Sequence, residues 1–241
     1  MSKRVFLVTG GNKGIGKETV KQLAVKGNTV YLGARNADEG RKAVAELAAA
    51  GDVRLVKLDI TNVDSLKKAA DQIKATSGFL DGLINNAGMI AVADYGLPSA
   101  ASLEVLRKTF ETNYVGTVMV TQNMLPLLRA GKGKVIVNVS TALGSVTSHG
   151  DPSWPFHGVN VLAYNSSKAA LNMFTVLLAK ELRAEGFRVN SVSPGWIATD
   201  LGGPSAPGKV EDGAAISVKC ALEGPDGQTG LFLTTGGVIP W

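Results

Sequence analysis

The stretch Val5-Phe6-Leu7-Val8-Thr9-Gly10-Gly11-Asn12-Lys13-Gly14-Ile15-Gly16 passes from a short apolar run straight into a glycine-rich turn. The run over residues 4–9 is short, rich in β-formers and unbroken by polar positions, which predicts a strand covered on both faces. From Gly14 to about residue 26 the pattern changes, and Ile15, Val20, Leu23 and Ala24 fall on one side at helical spacing. Strand, glycine turn and helix in that order form the opening unit of an α/β chain. Glycines at such a junction let backbone N–H groups approach an anion, and the helix N-terminus adds a favourable dipole. The spacing departs from GxGxxG, because Gly16 is followed by Thr19 rather than a third glycine. On its own, the turn also reads as an ordinary tight strand–helix connection.

Working outward, the same alternation repeats. Strands are predicted over residues 28–33, 53–58, 80–85, 134–139, 187–193 and 230–235. Helices are predicted over 37–50, 64–75, 103–128 (in one or two pieces) and 163–185. Helical connections of ten or more residues imply right-handed crossovers and a parallel sheet. Residues 144–160 read as a loop, and the Gly/Pro-rich segment 202–213 as mobile. No repeat or linker divides the chain, so one doubly wound α/β domain over residues 1–241 is expected.

Composition narrows the function classes. With 241 residues, 45% of them hydrophobic and 19% charged, the chain can bury one large core and does not resemble a disordered one. Its single cysteine, Cys220, excludes an intrachain disulfide and suits a reducing compartment. No apolar run reaches the ~18 residues of a membrane span, and Lys3-Arg4 precede only a four-residue apolar run, too short for a signal peptide. A cytoplasmic protein is expected. The net charge of +5 sits at the N-terminal end, where residues 1–42 carry nine Lys or Arg against Glu18, Asp38 and Glu39. That asymmetry points to a small anionic ligand. Lys/Arg clusters with interleaved aromatics, the mark of a nucleic-acid surface, are missing.

Three further stretches carry chemistry. The second strand ends Leu32-Gly33-Ala34-Arg35. An NAD site wants an acid there for the ribose 2′-OH; Ala34 removes it, and Arg35 offers a planar fork of donors to a 2′-phosphate. Lys13 offers a second cation, so NADPH/NADP+ is expected rather than NAD. Asn85-Asn86-Ala87-Gly88 closes the fourth strand at the carboxyl edge, where ligands of this architecture bind. Tyr164-Asn165-Ser166-Ser167-Lys168 puts a phenol and an amine on one helix face. A cation beside a phenol lowers a pKa that starts near ~10, so Lys168 is expected to make Tyr164 a usable proton donor and acceptor.

Taken together, Thr9-Gly10-x-x-x-Gly14-x-Gly16, Asn85-Asn86-Ala87-Gly88 and Tyr164-x-x-x-Lys168 resemble the short-chain dehydrogenase/reductase family in order and spacing, over essentially the whole chain. The glycine turn, the Ala34-Arg35 strand end and Ser193-Pro194-Gly195-Trp196 are similar to its NADPH-dependent carbonyl reductase branch. The resemblance implies a Rossmann fold with a parallel sheet of about seven strands. It also implies hydride transfer with a nicotinamide cofactor and an Asn–Ser–Tyr–Lys tetrad. Matched residue by residue, the tetrad supplies Asn113, Tyr164 and Lys168. The serine departs from the pattern. In Val139-Ser140-Thr141-Ala142-Leu143-Gly144 the matching position is Thr141, while strand alternation turns Ser140 to the opposite face. Thr141 is expected to hold the substrate carbonyl.

By the same resemblance, Gly10, Asn12, Lys13, Gly14, Ile15, Gly16, Arg35, Asn86, Ala87 and Gly88 would border the cofactor. Asp59 and Ile60 would lie near its adenine, and Pro194, Gly195 and Thr199 near its nicotinamide. Lys168 would hold the ribose, and Asn113 a water that resupplies protons. The segment 147–162, longer than in shorter members, carries His149, Trp154, Phe156 and His157 and reads either as an aromatic lid over the substrate or as a loop packed on the last helices. Neither histidine has metal-ligand spacing. Set before the helix that other members pair through, this loop favours a monomer over a homo-oligomer. The expected activity is reduction of a ketone or aldehyde. The alternatives are an NAD-linked secondary-alcohol dehydrogenase and a non-catalytic NADP(H)-sensing module.

Overall fold

Strand β1 (Val5–Thr9) is buried at all five positions, as a strand with neighbours on both edges and helices on both faces must be. In the computed structural model, which describes residues 3–224 and 226–241, β1 lies inside an eight-stranded sheet. It is flanked by β2 (Thr29–Ala34) and β4 (Gly82–Asn85). Outside β2 comes β3 (Val53–Lys57), and outside β4 come β5 (Val135–Val139), β6 (Arg188–Val192) and β7 (Phe232–Thr234). These seven pair in parallel. A short β8 (Gly237–Val238) adds one antiparallel strand at the edge of β7, beyond the seven expected.

The helices are α1 (Gly14–Val25), α2 (Ala37–Glu46), α3 (Val63–Thr76), α4 (Leu103–Phe110), α5 (Thr117–Ala130), α6 (Val146–His149), α7 (Leu162–Glu181) and α8 (Val210–Leu222). They cover two faces. Leu7 and Ile136 face Leu66, Met124 and Leu178 of α3, α5 and α7. Phe6, Val8 and Val137 face Val20, Ala43 and Ile216 of α1, α2 and α8. The period-2 alternation of β1 thus feeds two cores at once. Local chemistry starts several helices: Asn36 accepts from the Asp38 and Glu39 N–H groups, Asn62 from Ser65 and Ser102 from Val105.

Several boundaries differ from the sequence reading. The helix expected over 37–50 stops at Glu46 and continues as a 3-10 turn, Ala48–Ala50. The segment 103–128 is two helices joined by a π-helical turn, Glu111–Gly116. Within 144–160 the loop includes α6. Residues 202–209 are turns and irregular backbone with a single bridge from Gly208 to Ile197, and α8, which the sequence reading missed, begins at Val210. Gly213 hides it: a glycine reads as loop, yet a Cβ there would lie 2.8 Å from Ile197 and 3.3 Å from Ile15. It marks close packing, not a break.

Candidate active site

Strand order reverses between β1 and β4, and the carboxyl ends of β1, β2, β4, β5 and β6 open onto one edge of the sheet. A crevice at such a switch point is where ligands of open α/β sheets bind. The glycine turn occupies it. Gly10 and Gly14 have φ of +62° and +52°, the region that favours glycine. A Cβ on Gly16 would lie 2.3 Å from the Gly10 carbonyl and 2.4 Å from the Asn86 amide nitrogen. Asn86 donates through Nδ2 to the Thr9 and Gly10 carbonyls, and the N–H groups of Asn86 and Ala87 donate to Thr9 Oγ1. The turn and the end of β4 are therefore one unit.

Helix α1 has no side-chain cap at Lys13 and no acid in its first turn. Its leading N–H groups and dipole are left to an anion, and a glycine cradle without side chains surrounds them. These residues fit a dinucleotide pyrophosphate.

Arg35 stands exposed just past β2, and none of the ion pairs among the described residues includes it. Lys13 differs. It meets Asp200 at 2.7 Å, with both side chains mostly exposed, a pair that solvent screens. Asn12 donates to Glu39 at 3.1 Å. Asp59 accepts from the Thr61 N–H and hydroxyl, and its own N–H donates to Ser65; Ile60 is buried beside it. Across the crevice, Gly195 has φ of +88°, Pro194 is half-buried, and Thr199 lies against Gly14, 3.3 Å from where a Cβ would sit. Direct contacts thus bring together Gly10, Gly14, Gly16, Asn86, Ala87 and Thr199, while Arg35 and Asp59 follow the carboxyl ends of β2 and β3.

Tyr164 and Lys168, 7% and 4% exposed, lie on the first turns of α7. Lys168 Nζ donates to the Val139 carbonyl at 2.7 Å and sits 5.8 Å from the centre of the Tyr164 ring. Gly88 touches the same spot: a Cβ there would lie 3.4 Å from both Lys168 Nζ and Asn113 Oδ1. Asn113, fully buried, lies in the π-helical turn, a distortion common at functional positions. It accepts from the Met89 N–H, and its amide donates to the Met89 carbonyl and to Ser167. Both amide hydrogens and one lone pair of Oδ1 are employed in clamping the β4 end to α7, which leaves Oδ1 a second lone pair.

Burial also reverses the expected electrostatics. Loss of water pushes the Tyr164 phenol upward from its usual 10, with Tyr95 adding to the shift. The same loss draws Lys168 down from 10.5 to about 8. The expectation that Lys168 lowers Tyr164 is corrected: desolvation penalises both charged forms, and the ammonium is spent on a carbonyl. Near neutral pH the pair is a protonated phenol beside an ammonium.

Thr141 follows β5 with extended backbone (φ −157°, ψ 150°), is half-buried, and accepts from the Leu143 N–H at 3.3 Å. Ser140 is buried on the opposite side, its hydroxyl without a partner among the described residues. Gly144 anchors this turn on α7, since a Cβ there would lie 3.0 Å from the Lys168 backbone. In the segment 147–162, His149, Trp154 and Phe156 stack edge to face at 4.9 and 5.5 Å. His149 Nε2 lies 3.1 Å from the Leu143 carbonyl, and His157 Nδ1 lies 3.0 Å from the His149 carbonyl. A groove of about 480 Å³, lined by Tyr95, Gly96, Leu97, Gly158, Val159 and Asn160, opens beside this loop.

Sequence reasoning missed two residues at the site. Ser167 meets Asn113, and Asp94 meets the first turn of α7, accepting from the Ala163 and Tyr164 N–H groups at 2.9 and 2.8 Å. Ser167 was visible inside the Tyr164–Lys168 stretch. Asp94 carried no local signal.

Comparison with known proteins agrees with this geometry. The profile of a family described as short chain dehydrogenase matches residues 4–209. A short-chain dehydrogenase of Penicillium roqueforti is 34% identical over 231 residues, covering 93% of this chain and 90% of that protein. Carbonyl reductase (NADPH) 1 of Mus musculus is 32% identical over 284 aligned positions, covering 100% and 99%. The structure of an NADPH-bound carbonyl reductase from chicken fatty liver superposes with a TM-score of 0.86 at 25% identity, covering all of both chains.

Proposed function

The chain belongs to the short-chain dehydrogenase family, and from that premise we propose that it is an NADPH-dependent reductase of ketone or aldehyde carbonyls. One observation carries the reading: a buried Tyr164 with Lys168 5.8 Å from its ring, set at the carboxyl edge where the strand order reverses. Arg35 and the absence of an acid at Ala34 favour the phosphorylated dinucleotide, as do the names of the mouse and chicken relatives.

The residues divide the work as follows. Gly10, Asn12, Gly14, Ile15 and Gly16 receive the pyrophosphate, and Arg35 with Lys13 the 2′-phosphate. Asp59 and Ile60 border the adenine. Asn86, Ala87, Gly88, Pro194, Gly195 and Thr199 border the nicotinamide half. When bound, the dinucleotide supplies the hydride. Thr141 donates its hydroxyl hydrogen to the carbonyl oxygen, which holds that oxygen toward α7. Tyr164 Oη then gives its proton to the same oxygen as negative charge develops there. Lys168, held by the Val139 carbonyl, places a positive charge beside the phenolate that remains. Asn113 fixes the β4 end against Ser167 and so sets the depth of α7. The apolar groove at Tyr95, Leu97 and Val159 suits an apolar carbonyl compound. The single cysteine, buried on α8 with its thiol pushed up to about 12 by burial, suits a reducing cytoplasmic setting.

The deciding experiment is a panel of ketones and aldehydes followed by NADPH absorbance, with NADH run in parallel. Consumption of NADPH over NADH supports the reading. Equal or greater use of NADH, or no turnover of any carbonyl by folded protein that quenches NADPH, overturns it.

A further inference from the structure

Helix α7 starts without the usual means. Its N-cap is Val161, which has no side-chain hydrogen bond to offer, and its first turn holds no acid. The leading N–H groups of a 20-residue helix need partners, and its dipole favours a negative charge there. Both are supplied from 69 and 70 residues away in sequence. Asp94 Oδ1 accepts from the Ala163 N–H at 2.9 Å and Oδ2 from the Tyr164 N–H at 2.8 Å.

The surroundings of Asp94 make this more than a cap. Its neighbours Val92, Tyr95 and Leu97 are 89%, 62% and 71% exposed, while Asp94 is 8% exposed. Apolar burial therefore does not hold this segment down; the carboxylate does, together with backbone contacts of the next two residues. Tyr95 bridges to Val161, and the Gly96 N–H donates to the Asn160 carbonyl at 3.3 Å. The same two segments line the apolar groove. One of the two N–H groups held is that of Tyr164 itself, so the carboxylate fixes the backbone from which the phenol projects. A displacement of about 1 Å in such a group can cost on the order of a hundredfold in rate.

We propose that Asp94 is a positioning residue for proton delivery: by gripping the Tyr164 and Ala163 N–H groups from the groove side, it sets where the phenol stands relative to a carbonyl in that groove. The proposal rests on the reading of Tyr164 as proton donor. Asp94→Ala removes both acceptors. Asp94→Asn keeps one and turns an N–H donor toward the other, so it is the milder change.

The test measures kcat, KM, NADPH fluorescence quenching and the solvent deuterium isotope effect on kcat for both variants, with Tyr164→Phe alongside. We expect kcat to fall at least about tenfold in Asp94→Ala and less in Asp94→Asn. NADPH affinity should stay within about twofold, and the solvent isotope effect should rise as proton transfer becomes limiting. A role limited to stability would lower the melting temperature and the active fraction but leave the isotope effect alone. Folded variants with wild-type kcat and isotope effect would overturn the proposal. So would loss of fold in both variants, since the carboxylate would then be architectural. If Tyr164→Phe itself turns over normally, it is the proton-donor reading that fails, whatever the Asp94 variants do.

Discussion

Lys168 Nζ lies 5.8 Å from the centre of the Tyr164 ring while it donates to the Val139 carbonyl at 2.7 Å. The ammonium is thus tied to the end of β5, and burial raises the phenol, which favours the protonated form that the proposed proton donation by Tyr164 needs. Tyr164→Phe preserves the ring and its packing while removing that proton. Turnover should fall by about 10²–10⁴, the usual contribution of a general acid, with NADPH quenching unchanged. A variant that turns over as well as the parent would remove Tyr164 from the reaction.

The buried lysine also has a consequence for stability. Its folded pKa of about 8 lies below the 10.5 of the exposed amine. Between those values the unfolded chain binds more protons, so this group makes stability rise with pH from about 8 upward, and its full cost is present below 8. The raised Tyr164 works in the opposite sense: it holds its proton in the folded state after the unfolded phenol loses it, so its effect begins only above about 10. The Cys220 thiol, pushed from 9.0 up to about 12 by burial, works in the same sense as Tyr164 from about 9 upward, so the window from 8 to 9 belongs to Lys168. Melting temperatures of Lys168→Met across it should lack the upward slope that Lys168 contributes to the wild type. Parallel slopes in the two proteins would show that the ammonium is not buried as described.

Arg35 is an exposed cation past β2, directly after Ala34, the position where an acid would select NAD. Charge-assisted hydrogen bonds contribute about 1.5–3 kcal/mol, equivalent to roughly ten- to a hundredfold in affinity. Arg35→Asp should raise the KM for NADPH by that factor and improve NADH use. An unaltered ratio of kcat/KM between the two cofactors would mean that the 2′-phosphate is read elsewhere, with Lys13, now paired to Asp200, the next residue to change.

The sequence made much of this legible because its signals were local. A glycine turn, an Asn-Asn-Ala-Gly strand end and a Tyr–Lys spacing each report on adjacent residues, and β1, β2, β4, β5 and β6 follow from unbroken apolar runs. What stayed hidden was non-local. Helix α8 was masked by Gly213, whose reason is Ile197 and Ile15 from other elements. Asp94 was invisible because its partners, Ala163 and Tyr164, lie far along the chain. The Tyr164–Lys168 expectation reversed because spacing reveals proximity but not burial, and here loss of water moves both groups away from their charged forms.

The hydroxyl expected opposite Tyr164 is where the chain departs from the family pattern, and three variants resolve it. Thr141 is half-buried at the head of a turn that Gly144 anchors on α7, and its Oγ1 accepts from Leu143, which leaves the hydroxyl hydrogen free to donate. Ser140 is buried with no partner for its hydroxyl among the described residues. Thr141→Val keeps the shape and deletes the donor, and should cost about 10²–10³ in kcat, as the loss of one oxyanion donor does elsewhere. Thr141→Ser keeps the donor, frees χ1 and should retain most of the turnover. Ser140→Ala removes an unsatisfied buried hydroxyl, so kcat should hold and stability should hold or rise slightly. If Ser140→Ala instead abolishes turnover while Thr141→Val does not, the two hydroxyls exchange roles, and β5 must turn by one residue at its end to let Ser140 reach the carbonyl.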